Sequence, residues 1–153
     1  MNKVALLKQK LESDLVYLQR SVYVLDYSLQ KARKIGIKKE YTLEELDVFE
    51  ALTSRYARTA DILTQRIIKN LFMLMQEDAK TFIDRCNLSE KLEIIDDAQQ
   101  LYNIRKLRND IAHEYCISDI SELFHDVLNY SEVLLDIVKK FQSFIDQMMQ
   151  NIS

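Results

Sequence analysis

The chain has 153 residues, 48% of them hydrophobic and 29% charged, enough apolar content for one globular core. A single glycine and no proline remove the usual punctuation of turns, which argues for few, long helices and against a sheet protein. A net charge of −3 gives no overall attraction to nucleic acid, so any such binding must rest on a local basic patch.

The opening stretch MNKVALLKQKLESDL is charged throughout and has no apolar signal core. Nowhere does a run of about 18 apolar residues occur that would span a membrane. Cys86 and Cys116 lack metal-ligand spacing and are too few for a disulfide framework. The expectation is one soluble domain over residues 1–153, without a membrane partner, in a reducing cytoplasmic setting.

From Val4, apolar residues recur at Leu7, Leu11, Leu18, Val22, Leu25, Leu29 and Ala32, one face of a helix that runs to about Ile35. Gly36 stands where a left-handed cap belongs. Lys31, Arg33 and Lys34 suit the negative end of the helix dipole, and with Lys38 and Lys39 they make a basic hairpin tip. Thr42 with Glu45 three residues on is a capping box, and Tyr41 with Leu46 is a candidate hydrophobic staple. The second helix then buries Phe49, Leu52, Tyr56, Ala60, Leu63 and Ile67. Arg55, Arg58, Arg66 and Lys69 fall on another face, within about 80° of each other and with only Ile62 between them. That face reads either as an ordinary exposed surface or as an RNA- or partner-facing stripe; Arg105 is a further candidate RNA contact.

Between Phe72 and Asn87 the pattern loosens, with a break expected near Glu77 or around Arg85 to Ser89. A short helix is expected from about Ser89, carrying Leu92 and Ile95; Asp97 with Gln100 then caps a helix that turns Leu101, Ile104, Leu107 and Ile111 inward. Asp119 and Glu122 open the last helix as a second capping box. Its stripe runs Ile120, Leu123, Val127, Tyr130, Leu134, Ile137, Phe141, Phe144 and Met148, and a second row, Phe124, Leu128, Leu135, Val138, Ile145 and Met149, widens it. The whole predicts an all-α, up-down bundle of four to five helices.

The chemistry concentrates in LRNDIAHEY, residues 107–115. An arginine beside a histidine suits RNA phosphodiester cleavage without a metal. Histidine titrates near neutrality and can take the proton of a ribose 2′-OH or supply one to the leaving oxygen. Arginine offers a permanently charged fork matched to phosphate. Arg108 and Tyr115 share one helical face and Asn109 and His113 another, whereas Arg108 and His113 diverge by about 140° on an ideal helix. Either the helix distorts near His113 or two chains complete one site in a two-fold dimer. The bland reading is a histidine that caps carbonyls and an arginine in an ordinary surface ion pair.

The segment RNDIAHEY, at the end of the penultimate helix, resembles the R-x4-6-H signature of the HEPN superfamily. The fuller R-x4-H-x-Y pattern resembles the HepT-type toxins encoded beside a minimal nucleotidyltransferase antitoxin in type VII toxin–antitoxin systems. The resemblance implies a HEPN-like bundle and a homodimeric, metal-independent endoribonuclease with no cofactor of its own. Arg108 and His113 would be its catalytic pair and Asn109 the polar residue that follows the arginine. It further implies that the partner uses ATP to transfer AMP to Tyr115. The competing reading is a non-catalytic HEPN adaptor or substrate-binding partner of a nucleotidyltransferase.

Overall fold

A computed structural model describes residues 2–113 and 120–152. Its regular elements are all helical among the described residues: α1 (Lys3–Ile35), α2 (Leu43–Asp61), a π-helical turn (Ile62–Ile67), α3 (Ile68–Leu74), α4 (Phe82–Lys91), α5 (Ala98–Ala112) and α6 (Ile120–Ile152). None of the described helices is long and apolar enough to cross a membrane.

Helix α1 begins at Asn2, whose side chain accepts from the Ala5 amide, and ends at Gly36. Gly36 has φ 74° and ψ 180°, so it is not the expected left-handed helical cap but an extended, positive-φ residue. Either conformation selects glycine, because a Cβ is strained there even where space is open. The Thr42–Glu45 capping box forms in both directions: Thr42 Oγ1 accepts from the Glu45 amide and Glu45 Oε1 from the Thr42 amide. Lys38, and then the Thr42 amide, hold the Glu45 carboxyl below its ordinary range. Tyr41 packs edge-on against Phe49 and Phe124, and those two rings stack at 4.5 Å between centroids, joining the starts of α2 and α6.

Three long rods follow from these ends. Ser21 shares a hydrogen bond with Thr59, Asn70 donates to Asp14 at 2.9 Å, and Arg55 donates to Ser28 at 2.6 Å. Those pairs run in opposite directions along the two helices, so α1 and the α2–α3 rod are antiparallel. Arg33 with Glu132 and Gln19 with Gln142 show that α6 is antiparallel to α1 as well. Leu11, Leu18, Leu25, Phe49, Leu52, Tyr56, Val127, Leu134 and Phe141 are fully buried in one cluster between the rods.

The π turn departs from the expected pattern. The Ile68 amide reaches back to Leu63 O, five residues away, so the turn holds one more residue than an α-helix would. The stripe Phe49 to Ile67 is buried as expected, but Ile62, Thr64 and Ile68 are buried too. Ile62 therefore does not lie among exposed cations. Arg55 is tied to Ser28, Arg66 leans on Asp14 and the Tyr17 ring, and Arg58 and Lys69 are exposed.

In the middle of the chain the break falls between Leu74 and Phe82, near Glu77 as the first of the two expected places has it; Arg85 to Ser89, the second, lie inside α4, whose capping box is Thr81 with Asp84. One expectation there is corrected. No helix starts near Ser89; Leu92 closes α4, and Ile95 is buried in the turn that follows. Both breaks use left-handed non-glycine residues, Gln76 and Glu93, each at φ 60°. The Glu77 amide bonds Phe72 O and the Ile94 amide bonds Ser89 O, a closure normally given to glycine. Gln76→Gly and Glu93→Gly are each expected to stabilise the fold by about 0.5–1 kcal/mol, raising Tm by a few degrees. A lower denaturation midpoint in either variant would contradict that account of the breaks.

Candidate functional site

Helix α5 carries the motif, and its seating explains which of its residues face outward. Asp97 caps it by accepting from the Gln99 amide at 2.9 Å, and Glu90 Oε1 accepts from the Ala98 amide. Leu101 and Ile104 are fully buried and Leu107 nearly so, as the spacing predicts, with Ile111 half-buried. Tyr56 of α2 donates to Ile104 O at 3.0 Å, and Asn103 donates to Tyr130 of α6 at 2.9 Å. Burial raises the Tyr56 phenol well above its ordinary range, which keeps it a donor. Pinned on both flanks, α5 turns Arg105, Arg108 and Asn109 away from the core.

Arg108 and Arg105 converge on one carboxylate that the sequence reading did not single out. Arg108 Nε donates to Asp61 Oδ1 at 2.7 Å and Nη2 to Oδ2 at 3.0 Å. Arg105 Nη1 donates to the same Oδ1 at 2.8 Å. The bidentate hydrogen bonds that Arg108 donates to Asp61 raise its pKa above its already high value, so its charge is permanent. A guanidinium carries about five N–H donors, and two of those on Arg108 are committed to Asp61. The remainder make no bond among the described residues and can meet a second anion. Asp61 is the last residue of α2 before the π turn, a local distortion of the kind that recurs at functional sites.

Helix α5 ends at Ala112, and His113 is its cap with φ −104° and ψ 10°, outside helical values. Its amide bonds Asp110 O at 3.1 Å, and its side chain is exposed, as is Asn109. The backbone thus leaves helical values at His113. Tyr115, Cys116 and the Asp119 cap fall outside the described residues, as does the shared helical face of Arg108 and Tyr115.

The other chemical groups stand apart. Cys86 is buried and its thiol is pushed up to about 12 by desolvation, which leaves it protonated and inert. His125, exposed on α6, lies 3.7 Å from Asp126. Among the described residues no three His, Cys, Asp or Glu side chains group as metal ligands would. No protein-family model, curated protein or solved structure matches the chain.

Proposed function

We propose that this chain is a HEPN-type endoribonuclease, the HepT-like toxin of a type VII toxin–antitoxin pair, with Arg108 and His113 as its catalytic residues. The observation that carries the reading is the end of α5. Two guanidinium groups are clamped by Asp61 there, and an exposed histidine follows Arg108 five residues on, about 7.5 Å along the axis. Fixed positive charge beside an imidazole that can take and return a proton is what in-line transfer at an RNA phosphate needs.

In this mechanism the ribose 2′-oxygen attacks the adjacent phosphorus while His113 takes the hydroxyl proton. The bond from phosphorus to the 5′-oxygen breaks, and that oxygen leaves with a proton from the His113 of a second copy or from water. The N–H groups of Arg108 that do not bond Asp61 meet the extra charge on the phosphoryl oxygens. Products are a 2′,3′-cyclic phosphate and a 5′-hydroxyl, and DNA is not cut because it lacks the nucleophile. The chain acts as a homodimer with two motifs facing, and cleavage proceeds in chelator. Incubating purified protein with RNA in EDTA and identifying the end groups tests this; loss of activity on chelation refutes it.

A cognate nucleotidyltransferase, using ATP, silences the toxin by adenylylating Tyr115. The added phosphate attracts Arg108 away from RNA and repels the incoming backbone. Tyr115→Phe is expected to stay folded, escape modification and remain toxic beside the partner. Mass spectrometry that finds this variant adenylylated as fully as wild type, elsewhere in the chain, removes Tyr115 as the switch.

One observation favours the alternative of a non-catalytic adaptor. The Asp61 fork already gives Arg108 a complete partner inside its own chain. On that reading the arginine braces α5 against α2, and purified protein of any concentration leaves RNA intact.

A further inference from the structure

Tyr23 and Tyr27 stand one turn apart on the outer face of α1, about 6 Å along the axis. Tyr23 is 79% exposed and Tyr27 57%, so neither ring contributes much to the core. Beside Tyr27 a groove of about 220 Å³ opens between α1 and α2, lined by Tyr27, Lys31, Val48, Ala51 and Arg55, with Asp47 as its one acidic wall. Lys31 holds its ammonium 5.3 Å from the Tyr27 ring centre. Arg55 is fixed at the groove by its 2.6 Å bond to Ser28.

The groove connects with the α5 site through the register of α2. Arg55, Arg58 and Asp61 are spaced by three, so each steps about 60° round the helix in the same direction and about 4.5 Å along it. Arg55 touches α1, Arg58 is exposed on the ridge, and Asp61 holds Arg105 and Arg108 on the α5 side. Cations therefore run from Lys31 through Arg55 and Arg58 to the arginine pair, with aromatic rings at the far end.

We propose that this is the path of a single RNA strand into the α5 site, an inference that rests on the nuclease reading above. Unpaired bases stack on Tyr23 and Tyr27, and their phosphates follow Lys31, Arg55 and Arg58 towards Arg108. Stacking requires exposed base faces, so the path takes a single strand and not a duplex. Asp47 repels phosphate and keeps the backbone on the Arg55 side of the groove.

The test uses a fluorescent ten-residue 2′-O-methyl RNA, which cannot be cut, and fluorescence anisotropy of the full chain. Substituting both Tyr23→Ala and Tyr27→Ala is expected to weaken binding about a hundredfold, a tenfold loss per stacked base. Arg55→Gln with Arg58→Gln should flatten the slope of log affinity against log salt by about 1.4, from two phosphates at about 0.7 each. Asp47→Asn should tighten binding several-fold. Unchanged affinity in the tyrosine variant overturns the path, as does hydrogen exchange showing these tyrosines covered by a protein partner and not by RNA. Cleavage of ordinary RNA, read separately, distinguishes the two claims. Wild type that binds through the tyrosines but never cuts refutes the nuclease and keeps the path. A tyrosine variant that binds and cuts as wild type does the reverse.

Discussion

His113→Ala is expected to slow RNA cleavage by about 10³-fold or more, since it removes the group that moves the proton. Arg108→Ala is expected to cost about 10²–10³-fold by withdrawing charge from the phosphoryl oxygens. Neither change should unfold the chain. The His113 side chain is exposed, and Arg105 still partners Asp61 when Arg108 is gone. The 140° divergence of the two residues on an ideal helix adds a sharper expectation. If each site takes Arg108 from one protomer and His113 from the other, mixing the two inactive variants creates heterodimers with one intact site. About half of a random mixture is heterodimer, so activity should return to roughly a quarter of wild type. If the turn at His113 lets one chain supply both groups, each heterodimer site lacks one of them and the mixture stays dead. Full activity in the His113 variant alone would end the mechanism.

The parts of the fold that the sequence shows clearly are those with local causes. The 3.6-residue stripes of α1, α2 and α6 and the Thr42–Glu45 box lie within a few residues of what they determine. The middle of the chain is opaque for an equally local reason. Its helices stop at Gln76 and Glu93, residues that carry no stop signal, in a conformation that glycine usually takes. The π turn is invisible for a different reason: one additional residue in a helix leaves composition untouched and shifts every later residue on the wheel. The supposed four-cation stripe crossed that turn. In the motif, Arg108 and His113 are legible as chemistry, but Asp61 is not. It precedes Arg108 by 47 residues, and only the packing of α2 against α5 gives it a role.

Asp61 is accordingly the residue whose replacement should separate binding from turnover. With Asp61 the cluster carries two positive charges and one negative; Asp61→Asn or Asp61→Ala leaves both positive charges facing one another. Electrostatic attraction for a polyanion should rise, and RNA should bind several-fold more tightly at low salt. Arg108 meanwhile loses the carboxylate that sets its direction, and a guanidinium that must be reoriented at each turnover stabilises the transition state less. The expected result is a fall in kcat of about tenfold or more for Asp61→Ala together with a lower KM, and a smaller fall for Asp61→Asn, whose amide oxygen still accepts from one arginine. Stability should drop by only about 1–2 kcal/mol, since the Asp61 side chain is 37% exposed and water screens the two cations. A structural brace alone would lower stability without dividing kcat from KM in this way. An increase in kcat for either variant would mean that Asp61 holds Arg108 back from the phosphate and does not aim it.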